Sequence, residues 1–98
     1  ELTISSISQA DTLADILKRN PELSIEVFGY TDKSGIEDKN IVLSKNRAKA
    51  LHDYLIEKGI DADRLYYSGC GSGNPIAPNK YRWGRDINRR IEVVIIKK

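Results

Sequence analysis

Asp32, Arg47 and Arg89 are the residues of this 98-residue chain whose types and positions could do chemistry. Asp32 follows Gly29-Tyr30-Thr31 at the end of an apolar strand. Arg47 lies one helical turn after Leu43 and one before Leu51, on a stripe that faces the core. Arg89 shares parity with Ile91 and Val93, so at the start of the last strand it points to their face. A strand-turn-helix path brings Asp32 and Arg47 together as a charge pair at the mouth of a small pocket. A partly buried guanidinium without a partner is costly, so each arginine needs an anion or carbonyls. Asp32 offsets one of them. The surplus positive charge favours a carboxylate or phosphate, which arginine grips in a two-pronged, coplanar geometry. One anion and two cations suit a zwitterion, with its ammonium on Asp32 and its carboxylate on Arg47. Asn40 can donate from the first turn of the helix, where free backbone N–H groups and the dipole favour anions. Spacing alone leaves a plainer alternative open, an ordinary structural salt bridge closing a loop.

Other candidates carry less. Gly69-Cys70-Gly71-Ser72-Gly73 looks like a phosphate-cradling loop but lacks the Gly-Lys-Ser/Thr ending and opens no helix, so it reads as a turn. His52 is the sole histidine and lies off the apolar stripe, on a solvated face. With one His and one Cys, no structural zinc site is expected, and no cofactor. Cys70 has no evident activating base and suits a small apolar strand-end position. Lys80-Tyr81-Arg82-Trp83-Gly84-Arg85 interleaves aromatic and basic residues as some nucleic-acid surfaces do. Asp86 and the near-neutral total charge favour instead a loop whose Trp83 packs down, and nucleic acid is not the expected partner.

The elements that must position these residues follow from periodicity. Leu2 and Ile4 alternate as a short strand or turn would. Ala10, Leu13, Ala14, Ile16 and Leu17 recur at helical spacing from about Gln9 to Arg19, and Asn20-Pro21 stops that helix. Ser24 to Tyr30 alternates as a strand, with Ile25, Val27 and Gly29 on one side. Lys33 to Lys39 reads as an exposed loop. A longer helix is expected from about Asn40 to Lys58, with Leu43, Ala50, Leu51, Tyr54 and Leu55 inward and Gly59 as its stop. Asp61 to Arg64 suits one helical turn, Leu65 to Cys70 a short strand, and Pro78 to Ile87 a surface loop. Arg90 to Lys97, apolar on both faces, is a central strand. The result is an α+β domain, two helices packed on a mixed sheet, with four strands if Leu2 to Ile4 is one of them.

Length fits one domain spanning residues 1–98. The composition, 40% hydrophobic and 31% charged, is that of a folded globular chain, and a net charge of +2 compels no polyanionic partner. One cysteine excludes an internal disulfide framework. No secretory h-region and no apolar run near the ~20 residues of a membrane span is present. The start at Glu1 and the lack of any Met lead us to expect a processed or excised piece, with any targeting signal or membrane part outside it.

Together these residues resemble the OmpA-like C-terminal domain, the peptidoglycan-binding module of Gram-negative outer-membrane proteins and lipoproteins. The matching elements are Gly29-x-Thr31-Asp32, Gly35, Asn40-x-x-Leu43-Ser44-x-x-Arg47-Ala48 and Tyr54-Leu55-x-x-x-Gly59-Ile60. Further on come Arg64-Leu65, Gly69-x-Gly71, Pro75-Ile76-Ala77, Asn79 and Gly84-Arg85-x-x-Asn88-Arg89-Arg90-Ile91-Glu92. The resemblance runs in register from about Leu13 to Ile96. It implies a βαβαβ fold with the helices on one side of a mixed sheet. It also implies non-covalent binding of the diaminopimelate residue of the peptidoglycan stem peptide. Asp32 and Arg47 would hold the amino and carboxylate groups at the diaminopimelate side-chain end. Thr31 and Asn40 would line the pocket, and Arg89 would contact the ligand or brace it. Three departures stand out. Tyr30 replaces the commonest histidine at the pocket rim, and Cys70 replaces a usual aromatic. Glu1-Leu2-Thr3 matches the segment after the family's first strand, so that strand is either truncated or replaced.

The function expected is therefore a non-catalytic tether of an outer-membrane protein or lipoprotein to the cell wall. Its place would be the periplasm of a Gram-negative bacterium, with membrane attachment only through other parts of the parent protein. A flagellar-stator-type anchor is a variant of the same family, and a protein or nucleic-acid interaction module using Tyr81 to Arg90 is the alternative from another class. No nucleophile–base set, working pair of carboxylates or metal cluster can be assembled, so an enzyme is not expected.

Overall fold

The computed structural model describes residues 2–97. Glu1, which the resemblance set with Leu2 and Thr3, lies outside the described residues. The chain runs β1 (Leu2–Ile4), α1 (Ile7–Arg19), β2 (Leu23–Tyr30), α2 (Glu37–Glu57), a 3-10 turn (Ala62–Arg64), β3 (Leu65–Gly69), α3 (Arg82–Asn88) and β4 (Arg90–Lys97). The strands form one mixed sheet in the order β1-β4-β2-β3. β4 is antiparallel to both neighbours, and β2 is parallel to β3, as the α2 crossover between them requires. The fold is the α+β arrangement expected. Leu2 to Ile4 is a strand of three residues, β1, so the sheet has four strands; it fills the edge position before α1 and pairs with β4 from Leu2↔Val93 to Ile4↔Ile91.

Both long helices cover one face of the sheet. Ile25, Val27, Leu65 and Val93 meet Leu13 and Leu17 of α1 and Ala48, Leu51 and Leu55 of α2 in one buried cluster. The Ser6 hydroxyl caps α1 by accepting from the Gln9 N–H at 3.2 Å. At its far end the Asn20 side chain donates to the Ile16 carbonyl at 2.8 Å, and Pro21 follows.

α2 departs from expectation in start and in phase. It begins at Glu37 rather than near Asn40, and its buried stripe is Asn40, Ser44, Ala48, Leu51 and Leu55. Leu43 and Ala50, expected inward, are exposed. The cause lies in the strands beneath. Gly29 and Gly69 are register partners on β2 and β3, and α2 crosses them backbone to backbone. A Cβ on Gly29 would run into the Ser44 carbonyl, and one on Gly69 into the Lys45 amide. Only small residues fit the helix face over these glycines, so Ser44 and Ala48 take the inner positions and Leu43 turns out.

The stretch from Pro78 to Ile87, expected as a loop, contains α3. Two turns suffice because Gly84 lies directly against the Pro78 carbonyl and Asn88 is fully buried. On the sheet's other face Tyr30, Arg90 and Glu92 are buried together. The Arg90 guanidinium lies 3.9 Å above the Tyr30 ring, pairs with Glu92 and donates to the Asn74 carbonyl at 3.0 Å. Tyr30 thus anchors the loop after β3 instead of forming a pocket rim.

The glycine contact is testable. Gly29→Ala is expected to destabilise the fold by about 1–3 kcal/mol, because the obstacle is backbone and cannot rotate away. Thermal unfolding followed by circular dichroism should show a fall in Tm of roughly 5–20 °C. An unchanged Tm would mean that α2 is free to lift from the strand.

Candidate ligand-binding site

Asp32 stands just past the end of β2 and is only 5% exposed. The strand is carried one residue further by the Thr31 N–H, which donates to the Gly71 carbonyl at 2.8 Å. One carboxylate oxygen of Asp32 accepts the Ser34 N–H at 2.7 Å, and the other pairs with the Arg89 guanidinium. Burial pushes the Asp32 carboxyl up. Hydrogen bonds from the Ser34 hydroxyl and N–H, and then Arg89, outweigh that and hold it below its ordinary value. The group is therefore kept as an anion, suited to holding a cation rather than to taking up protons.

Arg89 reaches Asp32 from the junction of α3 and β4. Its second amino group pairs with Asp86, three residues earlier on α3, so one guanidinium bridges two carboxylates. The side chain remains 37% exposed and can still meet a ligand. Asn88 sets its position. The buried Asn88 oxygen accepts the N–H groups of Ile76 and Ala77 at 2.8 and 3.0 Å. Its amide donates to the Ala77 carbonyl and the Asn79 side chain, both at 2.9 Å. Asn79 in turn accepts the Lys33 N–H at 3.3 Å, tying this segment back to the residue after Asp32.

Asn40 faces Asp32 but does not offer a free donor. Its side-chain amide donates to the Ser34 carbonyl at 2.8 Å and the Asp32 carbonyl at 3.5 Å, bracing the loop. Nor is it in the first turn. Its backbone N–H already donates to the Ile36 carbonyl at 3.0 Å. Thr31 is buried, and its hydroxyl has no hydrogen-bond partner among the described residues.

Arg47 is the main correction. It forms no ion pair with Asp32, which is taken by Arg89. With α2 rotated so that Ser44 and Ala48 face the glycines, Arg47 falls on the edge of the buried stripe, half-buried. It makes no ion pair among the described residues. From that edge it lines an open cleft of about 640 Å³ together with Asp86, Ile87 and Arg89, with Ile4 at the end of β1, and with Ser5. Asp32 does not line the cleft itself and meets it through Arg89.

Asp32, Thr31, Asn40 and Arg89 are therefore gathered at one point, with Arg47 across the cleft. Asp86 and Asn88 were missed as parts of the site. Asp86 precedes Arg89 by three residues, which is an ion-pair spacing only if the segment is helical. No group of three or more His, Cys, Asp or Glu side chains that could hold a metal occurs among the described residues. Arg47, Arg89 and Asp86 around the cleft, with Asp32 behind Arg89, can receive a small molecule carrying both charges.

Comparison with known proteins supports a family assignment. The OmpA family matches residues 1–89. The chain is 46% identical over 83 residues to the peptidoglycan-binding protein ArfA of Mycobacterium tuberculosis, covering 85% of this chain and 26% of that protein. It is 41% identical over 83 residues to the probable lipoprotein YiaD of Escherichia coli, covering 85% of this chain and 38% of that protein. The chain thus spans well under half the length of these relatives. Among solved structures, the C-terminal domain of Helicobacter pylori MotB superposes with a TM-score of 0.84 at 32% identity, over 93% of this chain and 71% of that one. The peptidoglycan-associated lipoprotein of Burkholderia pseudomallei gives a TM-score of 0.87 at 26% identity, over 91% and 75%.

The charge state of Asp32 makes a pH prediction. Because the native state holds this carboxylate below its ordinary value, its contribution to folding is present above about pH 4 and is lost as the pH falls through the depressed native value. Asp32→Asn should flatten the acid limb of the stability curve. Denaturant titrations at stepped pH check this, and parallel curves for the two proteins would show that Ser34 and Arg89 contribute nothing through Asp32.

Proposed function

The chain belongs to the OmpA family, and from that premise we propose that it is a non-catalytic module that binds cell-wall peptidoglycan through the diaminopimelate residue of the stem peptide. The observation that carries this reading is Arg47, a half-buried guanidinium with no ion pair among the described residues, facing a cleft whose other wall holds the Arg89–Asp86 bridge. The name of ArfA, a peptidoglycan-binding protein, supports the choice of ligand. The far end of diaminopimelate carries an ammonium and a carboxylate on one carbon. Its carboxylate fits Arg47 in the two-pronged geometry that a lysine could not supply. Its ammonium is drawn to the wall where Asp32 and Asp86 share Arg89, and it takes over part of what Arg89 supplies to Asp32. Thr31 and Asn40 act from behind, holding the Asp32 loop in place.

A small polar ligand buries little area, so single-site affinity is modest. Retention comes from many stem peptides along one polymer and their high local concentration. We place the module, taken as one domain over residues 1–98, in the cell envelope, on the periplasmic side of an outer membrane reached through other parts of the parent protein. The names of YiaD, a probable lipoprotein, and of the Burkholderia lipoprotein support that placement. A flagellar-stator-type anchor would use the same cleft.

Two measurements test the site. Arg47→Ala and Asp32→Ala are each expected to abolish pull-down by diaminopimelate-type sacculi while the far-ultraviolet dichroism stays native. Wild-type retention by either variant removes that residue from the ligand. Lysine-type stem peptides lack the distal carboxylate and leave Arg47 unpaired, a loss of about 1–3 kcal/mol. Binding to lysine-type sacculi should be correspondingly weaker, and equal binding would refute a diaminopimelate site.

A further inference from the structure

Tyr81 and Trp83 remain outside the site described above. Trp83 was expected to pack down, yet Tyr81 and Trp83 are 49% and 56% exposed. Their rings stack on one another, with centroids 5.8 Å apart and planes within 7° of parallel. Solvent is a poor environment for two such large apolar surfaces, and the pair is held out rather than left loose. Arg85 donates to the carbonyls of Asn79 and Lys80 at 3.0 and 3.1 Å, and Asn79 is itself bound by Asn88 and Lys33. A platform fixed in this way loses little freedom on meeting a ligand.

The platform is continuous with the cleft. Trp83, Asp86 and Ile87 lie on one side of α3 at helical spacing, opposite the buried pair Gly84 and Asn88. Asp86 and Ile87 line the cleft, Ile87 is itself exposed, and about 6 Å of helix rise separates it from Trp83. Lys80 lies 5.8 Å from the Tyr81 ring centre, and Arg82 is exposed between the two aromatic residues. Arg85 is engaged with carbonyls and Asp86 with Arg89. The continuity of the rings with the cleft, more than the charge around them, favours an uncharged polar ring carried on the same ligand as the stem peptide.

We propose that the Tyr81–Trp83 pair is a second subsite that takes an N-acetylated pyranose of the glycan strand whose stem peptide enters the Arg47–Arg89 cleft. This rests on the reading of the cleft given above. A pyranose has one face made mainly of C–H bonds, which lies flat on an aromatic ring while its hydroxyl and acetamido groups stay in water. Two residues and the lactyl ether separate the pyranose from diaminopimelate, a tether longer than the roughly 6 Å of helix rise between Trp83 and Ile87, so both groups can be engaged at once.

Trp83 is the sole tryptophan, so its fluorescence reports on the platform directly. Affinities of the whole chain and of both variants are measured by calorimetry, and the wild-type emission is followed beside them, with four probes: a diaminopimelate tetrapeptide, the same peptide on its disaccharide, peptide-free glycan strands and a single-stranded oligonucleotide. The disaccharide-peptide should bind roughly fivefold more tightly than the tetrapeptide. Trp83→Ala and Tyr81→Ala should each erase that ratio while tetrapeptide affinity stays unchanged. Peptide-free glycan should shift the Trp83 emission of the wild-type chain. A ratio of one in the wild type, a ratio unaffected by both substitutions, or an emission shift with oligonucleotide but not with glycan overturns the proposal. Tetrapeptide binding with a ratio of one removes the platform and leaves the cleft. A glycan-induced shift without tetrapeptide binding removes the cleft and leaves the platform.

Discussion

The close approach of α2 to the paired glycines Gly29 and Gly69 is the constraint on which the rest of the fold depends. It lets backbone meet backbone where side chains would ordinarily hold a helix and a sheet apart. The contact is secured by Ser44, whose hydroxyl accepts the Gly71 N–H at 2.9 Å and donates to the Ile41 carbonyl at 2.9 Å. The Cys70 N–H donates to the Gly29 carbonyl at 2.9 Å, which carries the β2–β3 pairing past Gly69. With its height and rotation fixed there, α2 has no freedom left at its N-terminal half. Asn40 must stand over the loop after β2, and Arg47 must stand at the edge of the core. Glu37 adds a tie from the first turn, accepting the Ser72 N–H at 3.0 Å and pairing with its hydroxyl. These bonds from Ser72 hold the Glu37 carboxyl below its ordinary value.

The opposite wall is built by a different device. The segment from Ile76 to Asn79 lies in no strand or helix, and Asn88 gives it four hydrogen bonds, three to its backbone and one to the Asn79 side chain. A buried asparagine satisfied at both ends is costly to lose, because the backbone groups it pairs would be left without that partner. By fixing α3 and the segment at once, Asn88 brings Arg89 to Asp32 and Asp86 to the cleft. Side chains on elements that are far apart in the chain thus meet through one buried amide.

Much of this was legible in the sequence, and the failures are specific. α1, β2 and β4 have apolar residues at clear period and sharp stops, so Asn20-Pro21 and the Ile91–Ile96 run located them well. α2 was misphased because its inner face is Ser44 and Ala48 while Leu43 is apolar and outside. Hydrophobicity cannot rank a position whose requirement is small size, and only the glycines across the contact impose that requirement. α3 was invisible because a two-turn helix with Gly84 and Asn88 as its buried face has no apolar stripe. That miss propagated to the site. Without a helix at Arg82–Asn88, neither the Asp86–Arg89 spacing nor the reach of Arg89 to Asp32 could be inferred, and Arg47 was assigned the carboxylate that Arg89 holds. Trp83 was expected to pack down for the same reason.

That exchange of partners alters the physics of the proposed binding. Had Arg47 been paired with Asp32, a zwitterion would have had to break an ion pair to enter, losing at one end much of what it gained at the other. With Asp32 already satisfied by Arg89, the cleft keeps one guanidinium, Arg47, that makes no ion pair among the described residues, and one bridge in which two carboxylates share Arg89. A ligand carboxylate on Arg47 then adds an interaction instead of replacing one. An ammonium beside Asp86 and Asp32 competes only with a single arginine that two carboxylates share. Because such a ligand is neutral overall, the cleft gains no net charge when it is filled. Selectivity therefore rests on geometry, on whether both charges are present at the right separation, and a ligand with only one of them leaves the other wall of the cleft unanswered.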